Sequence, residues 1–242
     1  MYHVIYDNFT TMLCAGAFDL QVEEVHPMSV FKWNRMLELS RNLGVEYYVS
    51  KGMYSVFDKS TLPLSISPLD DLERNMIESS DAMLFGILSS RKYKSIFDEE
   101  RHSIDTSVDT LHLLSLIVKN ADYIITSDIY LPGIIAVGEY LRNKGDRVDF
   151  VKLNGWIEKL GIVEISSFIG KLLVELFDFE KEEIEFIIKD YHHPIVHYNR
   201  LLKQANCENH HFPMLSRLNI ALVETISYKL SNTLSRILNV EE

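Results

Sequence analysis

Six side chains that could bind a metal ion lie close together in the last quarter of the chain. Five of the nine histidines fall between residues 192 and 211, together with one cysteine. Zinc sites combine two to four such ligands at short spacings. The candidates are His192, His193, His197, Cys207, His210 and His211. Cys207 and His210 have a suitable spacing for one pair, but no second pair completes the pattern. The sequence therefore favours an exposed polar loop over a metal centre, and we expect no cofactor.

Other residues that can carry chemistry lack the neighbours that this chemistry needs. His112 lies within an apolar helical pattern, which is typical of a core histidine. Cys14 has no activating residue beside it, and we interpret it as part of the core. Asp190 and His192 could form an acid/base pair, although the exit of a helix explains them equally well. The sequence has no Gly-x-Ser-x-Gly, Gly-x-Gly-x-x-Gly or P-loop pattern, and we predict no catalytic residue.

Composition and charge exclude several classes of protein. The chain has 242 residues, of which 47% are hydrophobic, and its 24 Lys and Arg against 35 Asp and Glu give a formal net charge of −11. This hydrophobic content predicts a folded core. The acidic balance disfavours nucleic-acid binding, because phosphates need a basic face. No apolar run reaches the roughly 18 residues that span a bilayer, and the N-terminus lacks a signal-peptide pattern. We expect a cytoplasmic protein without a membrane or nucleic-acid partner.

Hydrophobic periodicity indicates helices along the whole chain. Apolar residues recur at intervals of three and four in most segments, and no pair of matching strands is apparent. The sequence therefore predicts an all-α, single-domain helical bundle of about eight to ten helices over residues 1–242. A division into N-terminal helices, residues 1–105, and a C-terminal helical bundle, residues 106–242, is the alternative organisation.

The segment Val148–Asp190 predicts three consecutive amphipathic helices around which the rest is organised. The first ends at Gly161, in the position where a left-handed residue is favoured. The second carries an apolar stripe broad enough for burial on more than one side, formed by Ile165, Phe168, Ile169, Leu172, Leu173 and Leu176. Asp178 is predicted to cap the third helix, whose inward residues are Ile184, Ile187 and Ile188.

Elsewhere the pattern is less regular. Val45–Phe57 predicts a helix, although its β-branched and aromatic residues also permit a strand. Ser and Pro at positions 67 and 68 predict the start of a long helix over residues 67–95, followed by an irregular stretch over residues 97–105. Tyr123–Thr126 could form a short strand.

The end of the chain changes character. Tyr191–Pro213 is polar and histidine-rich, which predicts a loop. Leu215–Leu238 predicts a final helix with near-heptad apolar spacing. This apolar face either packs onto the rest of the chain or forms an interface with a partner. The interface candidates are Leu222, Ile226, Leu230 and Leu234.

The order of these elements resembles a known family. Leu13–Phe18, then Trp33-x-x-Met36-Leu37-x-Leu39, then Val49-x-x-Gly52-Met53, are similar to the N-terminal helices of an uncharacterised family of bacterial nucleotidyltransferases of the minimal type. The resemblance covers residues 9–57 and 108–190. It implies a helical frame around a small catalytic sheet that binds a nucleotide and Mg²⁺.

The catalytic core that this resemblance implies is missing from the sequence. The family carries a Gly-Ser turn and then an Asp-x-Asp or Asp-x-Glu pair, whose carboxylates hold Mg²⁺ from alternate positions of one strand. Here Asp128-Ile129-Tyr130 has a single carboxylate, and Asp70-Asp71 and Glu99-Glu100 are adjacent instead of alternate. The resemblance therefore implies the helical frame without its active sheet.

Two functions are consistent with these observations. The preferred one is a noncatalytic helical binding or regulatory module, whose partner is another protein, a second copy of the same chain included. The alternative is a divergent nucleotidyltransferase-related enzyme with Mg²⁺-dependent nucleotide binding, in which residues distant in sequence converge in the fold.

Overall fold

The computed structural model describes residues 3–58, 66–72, 87–103, 107–126, 129–186, 189 and 194–206. Over these residues the structure is all-α, with nine α-helices, three 3₁₀ turns and no strand, which confirms the predicted fold class and number of helices. The helices are α1 (His3–Phe18), α2 (Val30–Asn42), α3 (Glu46–Val56), α4 (Ile87–Arg101), α5 (Val108–Thr126), α6 (Leu131–Lys144), α7 (Phe150–Leu160), α8 (Val163–Phe177) and α9 (Pro194–Ala205). The 3₁₀ turns are Leu69–Asp71, Gly145–Arg147 and Lys181–Glu183.

The helices fall into two compact units. The first unit takes in α1, α2 and α3, the residues Glu175–Asp178, and α9 from Ile195 onward. The second takes in α4 to α7, the rest of α8, and the segment that follows Asp178. A single domain over residues 1–242, and the alternative boundary after residue 105, stay predictions.

The first unit is built on a close crossing of α1 and α3. Gly16 of α1 and Gly52 of α3 meet at this crossing. A Cβ atom added to Gly16 would lie 2.7 Å from the backbone nitrogen of Gly52. The absence of both side chains brings the two backbones together, and Phe9, Met12 and Met53 are buried around the crossing. The helix predicted over Val45–Phe57 is thereby confirmed, since α3 occupies it.

The last described helix, α9, belongs to the first unit although it is distant in sequence. The buried hydroxyl of Tyr198 pairs with the Thr10 hydroxyl at 2.8 Å. The guanidinium of Arg35 donates to the backbone oxygen of Asn206 at 3.1 Å. These bonds tie α9 to α1 and α2.

The second unit has α8 as its most apolar helix. Five residues of the predicted stripe have no exposed surface, namely Ile165, Phe168, Ile169, Leu172 and Leu173, whereas Leu176 is half-buried. The prediction of a buried helix is confirmed for these five residues. Gly161 ends α7 with φ of 73°, which confirms the left-handed termination expected there.

The helix predicted over residues 67–95 is wrong at its start. Leu69–Asp71 form one 3₁₀ turn, and Leu72 is extended, with φ of −96° and ψ of 129°. A proline at the first position favours one turn, but the turn does not propagate, because helix extension depends on tertiary packing. The prediction of an irregular stretch over residues 97–105 is also wrong for residues 97–101. α4 continues there, and the Glu99 carboxylate accepts hydrogen bonds from Lys159 of α7.

Two smaller predictions are also corrected. Tyr123–Thr126 forms the last turn of α5 instead of a strand, because the helical spacing continues through the buried Ile124. Asp178 does not cap a third helix, since its φ of 55° is left-handed. Glu180 instead caps the single 3₁₀ turn that follows. Ile184 is buried as predicted, while Ile187 and Ile188 lie outside the described residues.

The loop predicted over Tyr191–Pro213 contains the helix α9. Pro194 opens this helix instead of interrupting one, because proline is favoured in the first helical turn, where its missing N–H has no partner to lose. Tyr198, Leu201 and Leu202 then follow at helical spacing and are buried. The helix predicted over Leu215–Leu238 lies outside the described residues. None of the described helices is both long enough and apolar enough to cross a membrane.

Candidate functional site

Of the six candidate metal ligands, His197 lies among the described residues. His197 lies on α9, where its Nδ1 accepts a hydrogen bond from the Arg200 guanidinium at 2.8 Å. The other five candidates lie outside the described residues: His192, His193, Cys207, His210 and His211. The described residues contain no group of three or more His, Cys, Asp or Glu side chains placed to hold a metal ion. The interface candidates Leu222, Ile226, Leu230 and Leu234 also lie outside them.

Cys14 has the environment of an unreactive thiol. Its Sγ donates to the backbone oxygen of Leu176 at 3.1 Å, and the side chain is half-buried. Burial, reinforced by the nearby Asp178 carboxylate, raises the pKa of the thiol to about 12. The thiol therefore stays protonated at neutral pH, and a protonated thiol is a weak nucleophile.

Four ionisable side chains of the second unit form a cluster where α5 begins and α6 ends. Asp109 and His112 are three residues apart on α5, and Tyr140 and Lys144 are four apart on α6, so each pair shares one helix face. The Tyr140 hydroxyl donates to Asp109 Oδ1 at 2.8 Å, and Lys144 Nζ lies 3.5 Å from the same oxygen. The His112 and Tyr140 rings stack with centroids 4.7 Å apart. We call these four residues the His112 cluster.

The environment of the His112 cluster shifts the pKa values of Tyr140, Asp109 and His112. Burial, followed by the hydrogen bond to the Asp109 carboxylate, raises the pKa of Tyr140 well above its usual range. The same hydrogen bond, with the charge of Lys144, lowers the pKa of Asp109. Burial first, and then the charge of Lys144, lowers the pKa of His112. At neutral pH the cluster therefore holds a protonated phenol, a carboxylate and a neutral imidazole.

Because the pKa of His112 is lowered in the folded chain, the free energy of unfolding depends on pH. In the unfolded chain this imidazole takes up a proton as the pH falls through its ordinary value of 6.5, whereas the folded chain resists protonation. Acid therefore favours the unfolded state. Lys144 and Lys119 oppose the charged imidazole, and Asp109 only partly offsets them.

We expect the urea midpoint to be lower at about pH 5.5 than at about pH 7.5, and this difference to be smaller in His112→Phe. Phenylalanine keeps a ring stacked on Tyr140 and removes the ionisable group. Measuring both proteins at the two pH values isolates the contribution of protonation, because the comparison near pH 7.5 records any packing change alone. An equal fall in both proteins would show that His112 does not cause the dependence.

A second polar network joins the end of α4 to the starts of α5 and α7. The side chain of Glu100 is only 9% exposed, and its Oε1 accepts from Lys152 Nζ at 3.0 Å and from the backbone nitrogen of Ser107 at 2.8 Å. The Thr110 hydroxyl accepts from the backbone nitrogen of Asp149 at 2.8 Å. The Asp149 carboxylate in turn caps α7 by accepting from the backbone nitrogen of Lys152. These bonds hold the first turns of α5 and α7 side by side.

Two large apolar side chains stand in solvent beside this network. Val108, two residues before Thr110, is 68% exposed, and Val151, two residues after Asp149, is 86% exposed. We call Val108 and Val151 the valine pair. The sequence pattern does not reveal this surface, because the periodicity of α5 and α7 identifies the buried face but not which solvent-facing valines lie at the same end of a unit. The signal for this surface in the sequence is the apolar residue valine at positions of α5 and α7 that face solvent.

The chain was also compared with known proteins. No family model matches the chain, and the comparisons with curated proteins and with solved structures found no match either.

Proposed function

We propose that the protein is a noncatalytic helical binding module whose partner is another protein, and that this partner is a second copy of the same chain. The observation that supports this proposal is the exposed valine pair at the start of α5 and α7. Exposed apolar side chains beside polar residues occur in protein interfaces. The buried face of α7 is formed by Leu153, Ile157 and Leu160, so Val151 contributes nothing to its own core.

The backbone beneath the valine pair is held in place before any partner arrives. The hydrogen bond between Thr110 and Asp149 and the ion pair between Glu100 and Lys152 fix the two helix starts relative to each other. A surface that is already ordered loses little conformational entropy on binding. This favours a role for the valine pair in recognition.

Charge pairing around the valine pair suits a second copy of an acidic chain. Two molecules that each carry a formal charge of −11 repel each other over most of their surfaces. At this end of the second unit the Glu100 carboxylate is paired with Lys152, and that of Asp109 with Lys144. Two copies can therefore approach here with less repulsion, and a twofold arrangement would place the same patch on both sides of the interface.

Substituting the valine pair should weaken self-association. We expect the double variant Val108→Asp and Val151→Asp to dissociate at least about tenfold more readily than the wild type, because charges would replace buried apolar contacts. Aspartate is well tolerated in the first turn of a helix, so both helices should still form. Sedimentation equilibrium over about 1 to 100 µM measures the association constant.

Val196→Asp is the matched control for this experiment. Val196 is also an exposed valine in the first turn of a helix, but it belongs to α9 in the first unit. The substitution Val196→Asp should leave the association constant unchanged. The parallel double variant Leu222→Asp and Leu230→Asp tests the interface candidates of the sequence as the competing surface. A wild type that remains monomeric over the whole range would contradict the proposal.

The second candidate function is a divergent nucleotidyltransferase-related enzyme that binds a nucleotide with Mg²⁺. The observation that favours it is the His112 cluster, because groups with shifted pKa values concentrate at catalytic sites. In this candidate the neutral imidazole of His112 would act as the base and Lys144 would contact phosphate. A nucleotide that binds only with Mg²⁺ would favour this candidate over the binding module.

A further inference from the structure

The first unit carries a surface pocket that is separate from the valine pair. Its volume is about 370 Å³, which falls within the range of small-molecule sites. The apolar part of its wall is formed by Ala15, Leu20, Val22 and Val56. Polar side chains, Asp19 and Ser55 among them, complete it.

The pocket lies where two helices end, and each helix end contributes partial negative charge to it. α1 ends at Phe18 and α3 at Val56, and the last turn of each helix contributes to the wall. The final four carbonyl groups of a helix have no partner within that helix, and they carry the negative end of the helix dipole. The Ser55 hydroxyl donates to the backbone oxygen of Gly52 at 2.8 Å, so its own oxygen can accept further hydrogen bonds. These helix ends and the Asp19 carboxylate favour a cation over an anion, and Lys51, which pairs with Asp19, offsets part of their negative charge.

Asp19 supplies a full negative charge at the mouth of this pocket. Its backbone is left-handed, with φ of 54°, an uncommon conformation for a residue other than glycine. One carboxylate oxygen already lies 3.0 Å from Lys51 Nζ, which shows that this position accepts an ammonium group. The Asp19 side chain is 77% exposed, so a second ammonium can reach its remaining lone pairs.

We propose that this pocket binds a small organic cation, a primary ammonium group on a short apolar chain. The ammonium contacts the Asp19 carboxylate and the helix-end carbonyls, and the chain packs against Leu20, Val22 and Val56. The apolar wall explains why an amine with an aliphatic body should bind better than an inorganic cation. This inference rests on the first unit and is independent of the proposed self-association.

The probe for this site is n-hexylamine, compared with hexan-1-ol and hexanoate as molecules of similar length that carry no charge or a negative charge. We expect n-hexylamine to give saturable binding to the full chain by isothermal titration calorimetry, with hexan-1-ol weaker by at least about tenfold and hexanoate weaker still. Asp19→Asn should weaken the binding of n-hexylamine by at least about tenfold, because a charge-assisted hydrogen bond is lost. Asparagine keeps the size of the side chain and tolerates the left-handed backbone.

Two further variants keep this test decisive. Asp7→Asn removes an exposed aspartate of α1 that is not among the pocket-lining residues, and this variant should bind n-hexylamine as the wild type does. Val22→Trp should fill the pocket and abolish binding even if Asp19→Asn fails to fold. Absence of saturable n-hexylamine binding to the wild type would overturn the inference. Equal affinities in the wild type, Asp19→Asn and Val22→Trp would overturn it as well.

Discussion

Gly52→Ala should destabilise the first unit by about 3 kcal/mol or more. The new Cβ would lie closer than 3.0 Å to the backbone oxygen of Met12 on α1, an approach that real Cβ atoms essentially never show. Backbone atoms cannot rotate away as a side chain can, so the two helices would have to separate. That separation would open the packing around Phe9, Met12 and Met53.

Urea unfolding followed by circular dichroism measures this loss. Gly155→Ala is the matched control, because Gly155 is also inside a helix but has nothing within 4 Å of its added Cβ. We expect Gly155→Ala to raise stability by about 0.5 to 1 kcal/mol, as alanine does at exposed helix positions. Gly16→Ala should reproduce the loss seen in Gly52→Ala, because its Cβ would meet the Tyr48 backbone oxygen. A change below about 1 kcal/mol in Gly52→Ala would show that α1 and α3 do not cross at these glycines.

Leu172→Ala should cost about 2 to 5 kcal/mol of unfolding free energy. Leu172 is fully buried in α8, with no exposed surface, so its truncation removes apolar contacts and leaves a cavity. Leu176→Ala is the matched comparison, because it makes the same chemical change one turn later at a half-buried position. Leu176→Ala should lower the free energy of unfolding clearly less than Leu172→Ala does. Equal losses in the two variants, or an unchanged midpoint for Leu172→Ala, would contradict the placement of α8 in the core.

The sequence predicts best those helices whose apolar residues recur at regular helical spacing. α7 and α8 follow from the spacing of their apolar residues, and the end of α7 follows from the conformational freedom of Gly161. Residues 66–72 were predicted less well, because a good helix start does not ensure that packing will extend the helix beyond Asp71. Helix α9 was missed because polar composition and Pro194 favoured a loop, whereas the buried Tyr198 and Leu202 hold it against the first unit.

The candidate sites depend on contacts that a single sequence cannot reveal. The His112 cluster joins residues about thirty positions apart, and the Glu100 and Lys152 pair is separated by 52 positions. His112 was interpreted as a core residue, since apolar spacing identifies a helix face but not a stacking partner such as Tyr140. The candidate metal ligands around Cys207 and the interface candidates around Leu222 lie outside the described residues.

The central claim, a binding module without nucleotidyl-transfer chemistry, is tested most directly by thermal melts of the purified protein with ATP, CTP, GTP and UTP, each with and without Mg²⁺. A ligand that binds only the folded state raises Tm when present well above its Kd. We expect the same Tm in all eight conditions as in buffer alone. A rise with one nucleotide that requires Mg²⁺ and disappears in Asp109→Asn would contradict the claim and identify the His112 cluster as part of an active site.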